Sequence, residues 1–338
     1  MRITAITPMK NEGPFILEWL AYHLLIGVND FIVFTNDCTD GTDAILERLD
    51  EMGIVRHLPN PSCVMDKPDG HHWAAMGYIN EMKRLRRSDW IVSFDVDEFI
   101  CVKTGRGELS DLFAACDGAD FISMNQLNFG CAGYEAFDPD ALQITRFDRA
   151  MATNNDVYGW DRARGIKTLS RGSAPFDRMG NHSPKVSRDD VTWVNGSGVA
   201  YTPDFYRDGP KYVRGDRMGH DLVQLNHYAV RSMESFLAKT DRGDANWGSK
   251  EDVAHWRKYF KKYDDNLVQD TSMAHWAPKL RDAMSELLKD PELAQLHAAT
   301  IQHHRDTIER LRVAPLQSKI LEKIRELHVR KLERETAA

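Results

Sequence analysis

The first hundred residues alternate between continuous apolar runs and amphipathic stretches. Short apolar runs predict strands over residues 2–7, 31–34, 54–57 and 90–94. Apolar positions three and four residues apart predict helices over residues 13–26, 44–52 and 73–85. Strands and helices in alternation are typical of a largely parallel sheet, and the continuous apolar run at residues 31–34 indicates a strand that is buried on both faces.

The rest of the chain changes character twice. Residues 121–201 predict short strands separated by loops rich in Gly, Asn and Asp, and residues 222–225 predict a last strand. Beyond Ser232 nearly everything is predicted helical, with an aromatic face at Trp256, Tyr259, Phe260 and Tyr263 and an amphipathic helix over residues 316–334. We therefore expect an α/β domain over residues 1–245, divided near residue 120, and a helical C-terminal extension over residues 246–338.

Composition narrows the class of protein. Hydrophobic residues make up 42% of the chain and charged residues 28%, as in ordinary folded proteins, and the formal net charge of −7 argues against nucleic acid as a partner. The five cysteines are widely spaced and contain no Cys-x-x-Cys pair, which favours reduced thiols. Without a signal sequence or an 18-residue apolar run, a cytoplasmic location is expected.

Three carboxylates are crowded together after the strand at residues 90–94. Asp95, Asp97 and Glu98 fall within four positions, in a first hundred residues that hold nine Lys and Arg against sixteen Asp and Glu. Like charges this close destabilise a fold unless a cation lies among them, and oxygen ligands select Mg²⁺ or Mn²⁺. We expect Asp95 and Asp97 to bind the metal and Glu98 to have a structural role. The alternative is a solvated acidic turn.

Polar segments also follow the first two strands. Ligands of open parallel sheets bind at the carboxyl ends of the strands, so these segments predict contacts to a nucleotide. The residues concerned are Thr7, Lys10, Asn11, Glu12, Asn36 and Asp40, with Glu12 expected to face a ribose. The alternative is that Asn11 and Asp40 only cap helices and form turns.

A fourth segment follows the strand at residues 222–225. His227 lies directly after it, and Lys239 and Arg242 lie on the next predicted helix. A neutral imidazole can complete an oxygen-rich Mn²⁺ site, and basic side chains can bind phosphates. A lone histidine is as often structural, so both interpretations of His227 remain open.

Taken in order, Lys10-Asn11-Glu12, Asn36-x-Cys38-x-Asp40-Gly41-Thr42, Asp95-x-Asp97-Glu98-Phe99 and Asn226-His227-Tyr228 resemble a glycosyltransferase family. The chain is similar to bacterial glycosyltransferases of family 2, and also to those of family 92, which have the GT-A fold. The resemblance covers about residues 1 to 245. It implies a Rossmann-like nucleotide-diphospho-sugar transferase domain, with a mixed sheet flanked by helices.

The resemblance also implies the chemistry. The donor would be a nucleotide sugar, UDP- or GDP-linked, and Asp95 and Asp97 would hold Mn²⁺ or Mg²⁺. The acceptor would be a glycan, a lipid-linked molecule or another hydroxyl compound. An inverting reaction needs a carboxylate that deprotonates the acceptor hydroxyl, and Asp161, Asp221 and Asp244 are the candidates in the second half of the chain. The base of the donor stays open, because many relatives carry Asp where Thr35 stands.

Two rival functions remain. Asp-x-Asp after an apolar strand also occurs in Mg²⁺-dependent phosphohydrolases, although there the pair normally follows the first strand, and a non-catalytic nucleotide-sugar-binding protein is the other alternative. The helix at residues 316–334 has six basic against three acidic side chains. It predicts packing on its own domain or in a homodimer, with contact to the inner face of an anionic membrane as the alternative.

Overall fold

A computed structural model describes residues 1–65, 70–153, 164–207, 209–242 and 252–336. Its strands are β1 (Ile3–Met9), β2 (Asp30–Thr35), β3 (Arg56–Pro59), β4 (Trp90–Ser93), β5 (Glu98–Val102), β6 (Phe121–Asn128), β7 (Arg149–Ala150), β8 (Arg164–Arg171), β9 (Trp193–Val194), β10 (Tyr212–Val213), β11 (Val223–His227) and β12 (Val268–Gln269). Its helices are α1 (Ile16–Leu25), α2 (Thr42–Glu51), α3 (His71–Glu81), α4 (Leu109–Ala115), α5 (Gln143–Arg146), α6 (Pro203–Tyr206), α7 (Met233–Arg242), α8 (Val253–Tyr263), α9 (Ala277–Leu287), α10 (Pro291–Val313) and α11 (Pro315–Thr336).

One mixed sheet organises the domain. Its strand order is β3-β2-β1-β4-β8-β6-β11-β5, with β10 beside β8 and β9 beside β6. The first four strands of this order are parallel, β8 runs antiparallel to both neighbours, and β5 runs antiparallel to β11. The C-terminal ends of β1 and β4 therefore lie side by side, at the edge of the sheet where the sequence places its polar segments.

Successive residues of β2 are apolar because both faces of the sheet are covered. In β2, Phe31 and Val33 join one core with α1 and α2, whereas Ile32 and Phe34 join a second core with α3 on the other face. Successive side chains of a strand point to opposite faces, so a strand that is buried on both sides shows no polar alternation.

Two predicted elements are displaced along the chain. The strand expected at residues 54–57 is β3, which begins at Arg56, because the backbone N–H groups of Ile54 and Val55 donate to Leu49 O and so close the end of α2. The helix expected at residues 73–85 is α3, which ends at Glu81. Its chain becomes extended at Met82, and a separate 3-10 turn follows over Leu85–Arg87.

The C-terminal segment is helical, as predicted, apart from β12, which the sequence does not predict. β12 pairs with β7, α9 packs on α1, and α10 packs on α2 and α7. α11 buries Ile320, Leu321 and Ile324 against α7 and α8. Within the described residues, no helix is both long and apolar enough to span a lipid bilayer. The predicted fold class, a mixed α/β sheet flanked by helices with a helical C-terminal extension, is confirmed.

Candidate active site

A polar cleft of about 290 Å³ opens where β1 and β4 end. Lys10 and Glu12 border it from the loop after β1, and Asp95 and Asp97 from the loop after β4. His227, at the end of β11, lies opposite them. Helices α7 and α8 form the outer wall, with Lys239 and Arg242 from α7 and Trp256, Tyr259, Lys262 and Tyr263 from α8. The cleft therefore combines acidic, basic and aromatic side chains at the carboxyl ends of the sheet.

The loop after β1 is fixed by the loop after β2. Asn11 has φ of 51°, a left-handed conformation that asparagine tolerates, and its side-chain oxygen accepts from Thr39 N at 2.9 Å. Asp40 accepts from Gly13 N at 3.1 Å and from Thr42 N at 2.9 Å. Asn11 and Asp40 therefore join the two loops, and Asp40 forms the expected turn with Thr42. The capping alternative is wrong, because Phe15 and Gly41 occupy the N-cap positions of α1 and α2.

Glu12 is the centre of a buried ion-pair cluster. Its carboxylate accepts from Arg231 Nη1 at 2.8 Å and from Arg242 Nη1, and only 3% of the residue is exposed. Burial alone disfavours the charged form, but the guanidinium groups of Arg231 and Arg242 hold the pKa of Glu12 below its ordinary value. Both carboxylate oxygens thus anchor α7 and the segment before it to the end of β1.

Asp97 is held between two elements. Its Oδ2 accepts from Lys239 Nζ at 2.9 Å, and its backbone carbonyl accepts from Tyr228 N at 2.8 Å. Burial opposes ionisation, yet the Lys239 ammonium, together with His227 and Arg231, keeps the pKa of Asp97 well below its usual range. Asp97 is therefore ionised at neutral pH.

Lys167 supplies a positive charge to the other two carboxylates. Its ammonium, which is completely buried in β8, lies 3.4 Å from Asp95 Oδ2 and 3.6 Å from Glu98 Oε2. Although burial works against the charge, the carboxylates of Asp95 and Glu98 raise the pKa of Lys167. The cation that the crowded carboxylates need is thus provided in part by lysines, Lys167 here and Lys239 at Asp97.

Glu98 faces away from the open cleft. It accepts from Asp95 N at 2.8 Å and from Gln126 Nε2, and burial raises its pKa to about 8. Its contacts hold the backbone turn that carries Asp95 and Asp97, in line with the structural role expected for it.

His227 reaches the carboxylates through strand register. Antiparallel pairing of β11 with β5 sets His227 opposite Glu98, so that His227 Nε2 lies 3.7 Å from Asp97 Oδ1. Its Nδ1 lies 3.4 Å from Asn128 Oδ1, and burial lowers its pKa to about 4. The tautomer with its N–H on Nδ1 donates to Asn128 and leaves the Nε2 lone pair available to a ligand, whereas the other tautomer directs an N–H toward Asp97.

The structure brings together seven of the residues that the sequence singled out. These are Lys10, Glu12, Asp95, Asp97, His227, Lys239 and Arg242. Asn11 and Asp40 line an adjacent cavity that shares Glu12, Lys239 and Arg242 with the cleft. Thr7 and Asn36 are buried and line neither cavity. The two base candidates Asp161 and Asp244 lie outside the described residues, and Asp221 is exposed at the opposite end of β11 from His227.

Several cleft residues were not identified from the sequence. Lys167 and His72 contact Asp95, and Gln126, Asn181 and His182 line the same cavity. Lys167 offered no distinct signal, because β8 also contains Arg164, Thr168, Ser170 and Arg171. The others lie on segments whose proximity to Asp95 depends on tertiary structure.

A family model and curated relatives both assign the chain to the same family. Residues 3–195 match the model of Glycosyltransferase family 92. A glycosyltransferase family 92 protein of Ricinus communis is 30% identical over 301 residues, which cover 82% of this chain and 48% of the relative. Another from Oryza sativa subsp. japonica is 28% identical and covers 74% of this chain and 36% of the relative. The chain thus spans about half or less of the length of these curated relatives.

Solved structures give weaker similarity. A crystal structure of S. aureus TarS aligns with 98% of this chain and 92% of its own at 11% identity, with a TM-score of 0.33. HddC from Yersinia pseudotuberculosis aligns with 58% of this chain and 89% of its own at 10% identity, with a TM-score of 0.31. Scores of this size do not establish a common fold.

Proposed function

The chain belongs to glycosyltransferase family 92. From this premise we propose that it transfers a sugar from a nucleoside diphosphate sugar to a hydroxyl group of an acceptor. The donor would be a UDP- or GDP-sugar, and the acceptor a glycan or a lipid-linked molecule. The reaction would depend on Mn²⁺ or Mg²⁺.

The observation that carries the proposal is the arrangement of charge in the cleft. Asp95 and Asp97 line the cleft together with Lys10, from the loop after β1, and with Lys239 and Arg242, from α7. A nucleoside diphosphate needs cations around its phosphates, and the two carboxylates would offer oxygen ligands to a divalent metal. The same cleft has an aromatic wall on α8, a surface suited to the apolar face of a sugar or a base.

The residues present fit a divalent metal. Asp95 Oδ1 and His72 Nδ1 are buried 3.9 Å apart, and neither has a hydrogen-bond partner among the described residues. His227 Nε2 lies 3.7 Å from Asp97 Oδ1, so that one ion could contact both atoms. Asp95, Asp97 and His227 would hold the ion, which would stabilise the negative charge of the departing diphosphate.

The protein's own side chains perform the remaining tasks. As the bond from the sugar to the diphosphate breaks, charge develops on the leaving oxygen. Lys239 and Arg242, which line the cleft and pair with Asp97 and Glu12, would stabilise that charge without a proton transfer. Lys167 and Glu98 keep Asp95 and its turn in position. Arg231, paired with Glu12, fixes the loop that borders the phosphate end of the cleft.

We propose an inverting reaction, in which a carboxylate takes the proton of the attacking hydroxyl. The three described carboxylates that line the cleft, Glu12, Asp95 and Asp97, are all ion-paired already. Asp161 and Asp244 therefore stay the candidates for the base, to be compared as Asp161→Asn and Asp244→Asn. A true base variant would lose transfer but keep donor binding.

Donor hydrolysis provides the test. Purified protein is incubated with a panel of UDP- and GDP-sugars in Mn²⁺, Mg²⁺ or EDTA, and release of the nucleoside diphosphate is measured. We expect slow, metal-dependent release with one donor class, lost in Asp97→Ala and shifted to higher Mn²⁺ concentration in His227→Ala. Wild-type release by Asp97→Ala at saturating donor would refute the metal assignment. Binding of a nucleotide sugar without any turnover would instead indicate a non-catalytic binding protein.

A further inference from the structure

A second group of ligating side chains lies away from the cleft, beneath the C-terminal helix. Cys131 follows β6, Asp264 follows α8, and His328 lies on α11. All three are buried, and one ligand atom from each lies within 4.8 Å of the other two. Segments far apart in sequence thus deliver a thiol, a carboxylate and an imidazole to one buried point.

We propose that Cys131, Asp264 and His328 bind a zinc ion that ties α11 to the α/β domain. A thiolate is a soft ligand, which Mg²⁺ and Ca²⁺ do not select, and thiolate with imidazole and carboxylate is the donor set typical of Zn²⁺. This inference does not depend on the proposed function, because none of the three residues lines the cleft.

The distances between the three donor atoms are slightly shorter than the separations found around a bound metal ion. Cys131 Sγ lies 3.4 Å from His328 Nδ1, and His328 Nδ1 lies 2.8 Å from Asp264 Oδ2. Ligand bonds of about 2.0–2.3 Å need donor atoms only slightly farther apart than this. Small side-chain movements at these two contacts would bring the donor atoms to the separations that an ion needs.

The surrounding groups orient the carboxylate. Asp264 Oδ1 accepts from Cys131 N at 2.9 Å and from Asn266 Nδ2 at 3.0 Å, which directs Oδ2 toward His328. The ammonium of Lys331, one turn farther along α11, donates to the backbone carbonyl of Asp264. Such outer hydrogen bonds are typical of metal ligands and fix the geometry before the ion arrives.

Charge compensation supports the same conclusion. Asp264 and Asp265 are both buried, and the single ammonium of Lys331, 2.9 Å from Asp265 Oδ1, offsets only one carboxylate charge. A zinc ion bound by a thiolate adds a net charge of +1, from +2 and −1, and the thiol proton of Cys131 leaves to solvent on binding. A protonated His328 adds the same charge without metal, so a hydrogen-bonded tie with no ion is the competing account.

Metal analysis decides between the two. Full-length protein without an affinity tag is incubated with Zn²⁺, desalted and assayed by mass spectrometry for zinc. We expect about one zinc per chain in the wild type, and loss of it in Cys131→Ser and His328→Ala. Cys116→Ser, another buried cysteine, and His227→Ala, in the cleft, serve as controls and should keep the zinc. Zinc lost from His227→Ala but kept by Cys131→Ser would place the ion in the cleft and overturn the proposal.

Cobalt spectroscopy tests the site without substituting its ligands, in case the Cys131 and His328 variants do not fold. Cobalt(II) is added to protein carrying Cys63→Ser, which removes the exposed thiol. A thiolate-to-cobalt charge-transfer band, displaced by Zn²⁺, is the expected result, and a chelator should then lower the melting temperature. No zinc retained and no such band in the folded protein would show that the three residues form a hydrogen-bonded tie only.

Discussion

Replacing Glu12 by Gln removes one charge from the buried cluster that joins β1 to α7 and leaves the shape of the side chain unchanged. Breaking a buried pair by removal of one partner costs about 3–5 kcal/mol, because the remaining charge stays buried without compensation. Arg242 keeps the carbonyl of Lys10 at 2.8 Å, and Arg231 keeps Gln143 Oε1 at 2.6 Å. These remaining partners lead us to expect a loss of about 3 kcal/mol, at the lower end of the range.

Urea denaturation at pH 7, followed by circular dichroism, measures this loss. Glu51→Gln is the matched control, because Glu51 pairs with Arg48 at 2.8 Å but its side chain is 65% exposed. The control should change the free energy of unfolding by less than about 0.5 kcal/mol.

The pKa of Glu12 determines how the stability difference between wild type and Glu12→Gln depends on pH. The pKa of Glu12 is lowered in the folded protein from the ordinary value of 4.5. The stabilisation by its charge is therefore complete above pH 4.5 and is lost as the pH falls toward the folded pKa. The difference between wild type and Glu12→Gln should shrink below pH 4.5. A difference under about 0.5 kcal/mol at pH 7 would refute the reasoning.

Three further predictions concern the turn after β4 and the start of α8. Lys167→Met leaves the carboxylate of Asp95 without its buried ammonium and should cost about 3–5 kcal/mol in urea denaturation; an unchanged stability would show that Lys167 is not needed there. The pKa of Glu98 is raised by burial to about 8, so its contribution is present below pH 4.5 and lost as the pH rises through 8. Wild type should accordingly lose stability relative to Glu98→Gln between pH 5 and pH 8, and a constant difference would contradict this. Asp252 caps α8 by accepting from Ala254 N at 2.8 Å, so Asp252→Ala should cost about 1 kcal/mol while Asp252→Ser costs little; equal losses in both variants would argue against the cap.

The strands that build the cleft were readable from the sequence because each is buried on both faces. Mostly apolar stretches identify β1, β2 and β4, and the polar residues that follow them lie at the carboxyl edge of the sheet. The crowded carboxylates Asp95, Asp97 and Glu98 also indicated where the cleft lies. So much negative charge at the end of a buried strand requires compensation by nearby positive charge.

The side chains that contact those carboxylates could not be predicted from the sequence. Lys167 reaches Asp95 only because β8 lies antiparallel between β4 and β6, and a local pattern does not specify that order. His227 was identified, but its position beside Asp97 depends on the register of β11 with β5. The Cys131, Asp264 and His328 group escaped notice because its members are separated by more than sixty residues each along the chain.

The central claim is that the cleft binds a nucleoside diphosphate through a metal held by Asp95 and Asp97. Isothermal titration of UDP and of GDP into the wild type, with Mn²⁺ and with EDTA, tests it directly. We predict that Mn²⁺ tightens binding of one nucleotide by at least about tenfold, or about 1.4 kcal/mol. This gain should disappear in the Asp95→Asn/Asp97→Asn double variant. Equal affinity in Mn²⁺ and EDTA, or a gain that survives in the double variant, would contradict the account.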